Sequence, residues 1–252
     1  MAKKSRTNGN GNGNGNGNGH SSIDTLTEDL KPRLSTVTYG ERRVRIKCKN
    51  EKQKQFINMI DDFQITLCSG PAGCGKSHLS LAKAIEYIQT PDNGYNTLYI
   101  ITPAVEVEEK LGSLPGSLDE KLAPYLFSTY YLIDKIIGKE NREKMVRDEV
   151  IQPLALGFLR GVNIDNAILV FEEAQNASHK QMKTLLTRIG FNSKFIISGD
   201  LKQIDRFRNN EESGLIDAMK RFEAFNEIGI FHFMAGDSVR NDIINEILKF
   251  YD

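Results

Sequence analysis

Five short apolar runs punctuate the chain: FQITLCS (63–69), NTLYIIT (96–102), NAILVF (166–171), SKFIIS (193–198) and IGIFHF (228–233). Each is too short for a buried helix and is rich in β-branched or aromatic residues, so each reads as a strand buried on both faces. The stretches between them carry apolar positions at helical spacing. KSHLSLAKAIEYIQ (76–89), a segment over about 178–189 ended by Gly190, GLIDAMKRFEAF (214–225) and the closing DSVRNDIINEILKFYD (237–252) read as helices. Residues 119–160 read as mostly helical, with APYLFSTYYLIDKII (123–137) the most apolar part. Strands alternating with helices predict an α/β protein: a parallel sheet with helices on both faces.

The N-terminal region has a different texture. Residues 8–19 repeat Asn-Gly, which cannot bury a core, and residues 1–35 read as a disordered low-complexity tail. Beyond it, Val44, Ile46 and Cys48 alternate with Arg43, Arg45, Lys47 and Lys49. Period two predicts a strand with one apolar and one basic face, either an ordinary solvated edge or a phosphate-backbone contact surface. Net charge over the 252 residues is zero, but residues 1–54 carry 12 Lys/Arg against 5 Asp/Glu. A strongly basic global field is therefore absent, and contact with nucleic acid must use local patches. No apolar run of about 18 residues predicts a membrane span. The start lacks the apolar core of a signal peptide, and three cysteines, Cys48, Cys68 and Cys74, have neither metal-site nor disulfide spacing. A reducing, cytoplasmic setting is expected.

The candidate chemistry begins at Gly70-Pro71-Ala72-Gly73-Cys74-Gly75-Lys76-Ser77, which satisfies G-x-x-x-x-G-K-[ST]. It follows an expected strand and opens an expected helix. The glycines let the backbone curl so that N–H groups point at phosphate oxygens, and the helix start adds its dipole. Lys76 reaches the β- and γ-phosphates, and the Ser77 hydroxyl holds Mg²⁺. His78 closes the expected nucleotide-binding segment, and Cys74 reads as a small space-filler. Some hundred residues later a strand ends in Glu172-Glu173. Two carboxylates there suit ATP hydrolysis: Glu172 in the Mg²⁺ shell, Glu173 positioning the attacking water. The fourth run ends in Gly199-Asp200, and the Gln203 amide can sense the γ-phosphate and the water, because open α/β sheets build sites at strand carboxyl ends.

These pieces, with TPAVEVEEKLGSLPGSLDEKLAPYL, PLALGFLRG, FEEAQNASHKQMKTLLTRIGF, SKFIISGDLKQID and DSVRND in order over residues 50–252, resemble the PhoH family of phosphate-starvation-type ATPases. The resemblance implies a P-loop NTPase with a RecA-like core over residues 36–252, of the superfamily 1 helicase kind. It implies a sheet order of 5-1-4-3-2 over the five runs. It also implies that Gln53 reads adenine, with Phe56 near the base. The compact form is similar to phage-encoded members, so a bacterial or phage-infected cytoplasm is the expected location. Thr102 stands where family members usually have Arg, in the region that the resemblance matches to helicase contacts with the nucleic-acid backbone, so the charge contact implied there lacks its usual residue.

A single core offers no second domain to supply an arginine to the breaking bond. The expectation is therefore a homo-oligomer, a hexameric ring with ATP at subunit interfaces, in which Arg240 of one copy serves the next; Arg188 and Arg160 are the alternatives. Function is expected as ATP hydrolysis coupled to RNA or single-stranded DNA. A small-molecule kinase and a nucleotide-dependent assembly switch are the rivals.

Overall fold

The computed structural model describes residues 43–101, 118–159, 161–205, 213–248 and 250. All of them lie in the unit spanning Pro32–Asp252. The expected tail (1–35), the Thr102 motif and Arg160 lie outside the described residues.

Six parallel strands form one sheet: β1 (Ile65–Ser69), β2 (Thr97–Ile101), β3 (Ile151–Leu154), β4 (Ala167–Phe171), β5 (Lys194–Gly199) and β6 (Ile228–His232). Their spatial order is β3-β2-β4-β5-β1-β6. Over the five apolar runs this is the expected 5-1-4-3-2 arrangement. The difference is β3, an additional edge strand paired to β2 within the region expected to be helical. Its sequence, IQPL, contains Pro153, which cannot donate to a ladder and is tolerated only at an edge.

Every residue of β1, β2, β4 and β5 is buried, as expected for strands covered on both faces. The helices are α1 (Glu51–Asp62), α2 (Lys76–Gln89), α3 (Leu118–Ile137), α4 (Lys139–Arg147), α5 (His179–Leu186), α6 (Gly214–Phe222) and α7 (Asp242–Leu248). Helix α2 is buried continuously from Leu79 to Ile85. It packs against β2, β4 and β5 on one side and against α1 and α3 on the other, so no face of that stretch is left for solvent.

The hydrophobic pattern did not reveal α1, because EKQKQFINMIDD holds few apolar positions. It is fixed at its start by Asn50, whose side chain accepts from Gln53 N, and at its end by a residue from elsewhere in the chain. Lys194, from β5, donates from Nζ to the carbonyls of Ile60 (2.5 Å), Phe63 (2.6 Å) and Asp61 (3.2 Å). It thereby supplies the cation that the last turn of α1 lacks.

The basic segment 43–48 is extended but does not join the sheet. Val44 N donates to Gln89 Oε1 of α2 (2.9 Å), and Val44, Ile46 and Cys48 pack on the core while Arg43, Arg45 and Lys47 stay exposed. The alternation was legible, but the partner is a helix rather than a strand.

Candidate active site

Because the strands are parallel, Ser69, Phe171, Gly199 and His232 finish on one edge of the sheet, and the loops leaving them share that edge. The 70–75 loop is held to β5 by Gly70 N donating to Gly199 O (3.2 Å). Gly73 and Gly75 have φ of 89° and 97°, in the left-handed region that turns backbone N–H groups inward. Gly75 caps α2 without a side chain, so the helix presents its own amino end to the loop. Lys76 Nζ lies inside the loop, donating to the carbonyls of Gly70 (2.5 Å) and Pro71 (2.9 Å). The Cys74 thiol donates to Pro71 O (3.1 Å), and burial pushes its pKa up, so it is a neutral filler rather than a nucleophile.

Two expectations change at the base of this loop. Gln53, expected to read adenine, is buried, and both ends of its amide are used within the protein: Oε1 accepts from Lys49 N (2.7 Å) and Nε2 donates to Cys74 O (2.8 Å). It is a strut under the loop, and a Cβ at Gly75 would fall 2.8 Å from its Nε2. Phe56, expected near the base, has no exposed surface; its ring packs 5.4 Å from both Phe231 and Phe233. Its contribution is indirect. Phe233 backs Gly70 so closely that a Cβ there would meet Phe233 Cβ at 2.5 Å.

The carboxylates have separate environments. Glu172 is buried beneath Ser77, and Thr129 of α3 donates to its Oε2 (2.8 Å). Burial pushes its pKa up and the Glu173 charge adds to this, while the hydroxyls of Ser77 and Thr129 and the Lys76 charge oppose it. Its Oε1 is buried with no hydrogen-bond partner. A hard dication held by one carboxylate, one hydroxyl and nucleotide phosphates is how Mg²⁺ is commonly bound, and the orphaned oxygen fits it. Glu172 and Ser77 would hold that ion, which when bound would neutralise charge developing on the phosphates.

Glu173 is exposed and carries a left-handed backbone (φ 53°), a strained position for a non-glycine residue of the kind found at functional sites. Its Oε2 accepts from Gln175 Nε2 (2.7 Å). The same nitrogen donates to Gln203 O (2.9 Å), and Gln175 Oε1 accepts from Asp200 N (3.1 Å). Gln175, fully buried, thus ties the end of β4 to the loop after β5. Sequence reasoning missed it. The signal was its place two residues after the glutamate pair, where a buried amide offers both a donor and an acceptor. The Gln203 side chain is exposed; its backbone carbonyl forms the tie.

Arg240 was expected to serve a neighbouring copy. It lies instead against the phosphate loop of its own chain. Val239 N donates to Gly73 O (3.0 Å), and a Cβ on Gly73 would come within 2.5 Å of Arg240 Nε. Arg188 sits beside Ile164, ahead of β4, at the opposite end of the sheet from the loop. His78 lines a cavity with Lys135 of α3.

A glycine loop running from a central parallel strand into a helix, with a glutamate pair at the end of β4, two strands away, defines a P-loop NTPase. The chain belongs to the PhoH family: the family model for PhoH-like protein matches residues 45–252. Relatives include the PhoH-like proteins of Mycobacterium bovis (36 % identical over 92 % of this chain and 62 % of theirs) and Bacillus subtilis (34 %, 86 % and 67 %). Protein PhoH of Escherichia coli is 35 % identical over 82 % of this chain and 58 % of its own. The chain thus spans about six-tenths of the length of most of these relatives. The large terminase of a thermophilic bacteriophage superposes with a TM-score of 0.48 at 8 % identity, over 79 % of this chain and 49 % of that one. Among the described residues no helix is long and apolar enough to cross a membrane.

Proposed function

We propose that residues 36–252 form one ATPase unit that hydrolyses ATP with Mg²⁺ and couples hydrolysis to RNA or single-stranded DNA as a helicase-like or translocating machine. The observation that carries the ATPase reading is the division of labour between neighbouring glutamates. Glu172 turns inward, its carboxyl near the Ser77 hydroxyl and one of its oxygens orphaned, while Glu173 turns outward and is held by Gln175. One is suited to the metal and the other to a water in line with the γ-phosphate. Lys76 in the loop and Arg240 across it supply the positive charge that phosphoryl transfer needs.

Arg240 reaches the loop within its own chain, so the geometry favours hydrolysis by a single chain. A hexameric ring, the arrangement expected from a missing cation, is not needed to complete the site.

Phosphate release measured alone and with oligo(U) or oligo(dT) tests the reading. Release in water, raised by either oligonucleotide, is expected. Release only with an added small-molecule acceptor would mark a kinase. Slow release unmoved by nucleic acid would mark an assembly switch.

A further inference from the structure

The first turns of α2, the C-terminal half of α3 and the extended 43–47 segment enclose a cavity of about 760 Å³. Arg43, Arg45, Lys47, Lys135 and His78 line it, and among the described residues no carboxylate does. Burial, with the charges of Lys49 and Lys135, pulls the His78 pKa down, as a positive field demands. The cations are held on fixed supports. Val44 and Ile46 pack on the core, so Arg43, Arg45 and Lys47 project from one edge of an extended backbone about 7 Å apart.

An aromatic stripe runs into this cavity. Phe127, Tyr131 and Lys135 occur four residues apart on α3, which places them on one face about 6 Å apart along the axis. Phe127 is 74 % and Tyr131 52 % exposed, unusual for rings on a helix that otherwise packs on the core. Lys135 Nζ lies 4.3 Å from the Tyr131 ring centroid, so the stripe and the cavity form one surface.

We propose that this surface is a groove for single-stranded nucleic acid, with bases stacked on Phe127 and Tyr131 and the backbone phosphates drawn to the cations of the cavity. The inference rests on the nucleic-acid reading above and assigns it a place. Rings that accept any base face, next to a cluster of cations, are what a sequence-tolerant single-strand site requires. A neutral nucleobase gives no reason for four lysines and arginines, and an apolar protein partner gives none either. Helix α3 also offers a route to the catalytic centre. Thr129, between the two rings in sequence and buried on another face, donates to Glu172. A strand seated on Phe127 and Tyr131 therefore acts on the same helix that positions the metal carboxylate.

Binding of fluorescently labelled oligo(U) and oligo(dT), followed by anisotropy over a salt series, tests the groove with two double variants of the full chain. Phe127→Ala/Tyr131→Ala should weaken binding about tenfold per ring with little change in salt slope. Arg45→Glu/Lys47→Glu should lower the slope of log K against log salt by about 1.4 or more. Both should keep basal phosphate release and the KM for ATP, and lose stimulation by the oligonucleotides. If the unaltered protein binds both probes and both variants bind as it does, the strand lies elsewhere and the groove is overturned. A raised KM for ATP with intact oligonucleotide binding assigns the cavity to the nucleotide and also overturns it. So does a ring variant that changes only the oligomeric state, which would make the stripe a subunit contact. If the unaltered protein binds neither probe, the nucleic-acid reading itself fails.

Discussion

Arg240 lies across Gly73 of its own chain, with Val239 N donating to the Gly73 carbonyl at 3.0 Å. The C-terminal segment is thus fastened to the loop that would hold the phosphates, and the Arg240 side chain lies against that loop. In the proposed reading its guanidinium serves the charge that develops at the γ-phosphate, a role worth about 10³-fold or more in phosphoryl transfer.

Arg240→Ala should therefore lower the turnover of ATP by about 10³-fold. Mixing it with Glu173→Gln chains should restore nothing, because neither chain then holds a complete set. Recovery of activity in the mixture would place the arginine's action in a neighbouring copy. Gly73→Ala should be as damaging: the added methyl meets Arg240, and φ of 89° strains any side chain.

Gln175→Ala should reduce kcat for ATP about tenfold or more with KM unchanged, because Glu173 loses the donor that orients it. Asp200 N and Gln203 O lose the same partner, so stability should fall by about 1–3 kcal/mol in urea titration. A variant with lowered stability and full kcat would show that the amide only braces the fold.

The residues that carry this chemistry were legible to different degrees. The loop and the glutamate pair declare themselves because phosphate binding and metal binding demand particular residue types at fixed spacing. Four of the five apolar strands were legible for a similar reason, since burial on both faces leaves little alternative to apolar side chains, whereas the strand order was implied only by the family resemblance. What escaped depended on contacts far apart in sequence. Helix α1 is stabilised by Lys194, over 130 residues away, and its own sequence is too polar to announce it. Strand β3 is an edge strand disguised by Pro153. Gln53 carries the right amide at the right distance before the loop, but packing turned that amide onto Cys74 O. Arg240 was legible as a catalytic candidate; its place beside Gly73 of its own chain was not, because that depends on how the C-terminal segment folds back.

Glu172→Gln should separate stability from function. The folded-state pKa of Glu172 lies above that of an exposed glutamate, mainly through burial. In the nucleotide-free protein its contribution to stability is therefore greatest below the ordinary glutamate range and is lost as pH rises through its own raised value. At neutral pH, replacing it by the neutral amide should raise the melting temperature of the nucleotide-free protein while abolishing Mg²⁺-dependent turnover. Thr129→Val, which removes a donor to the charged form, should move the acid limb of the turnover profile to higher pH. An unchanged limb would contradict the role assigned to Thr129.

Lys194→Met should cost about 2 kcal/mol or more in denaturant unfolding, since three carbonyls at the end of α1 lose a charged donor inside the protein. Loss of nucleotide affinity should accompany it only as far as α1, through Gln53, supports the phosphate loop. A variant of unaltered stability would remove Lys194 from the account of how α1 is held.

Glu173→Gln tests the central claim most directly, measured as ATP binding and phosphate release on the same preparation. The account predicts that ATP binding stays within a few-fold of the unaltered protein while release falls by about 10²-fold or more. Full phosphate release from that variant would contradict it, since the outward glutamate would then have no part in directing water at the γ-phosphate.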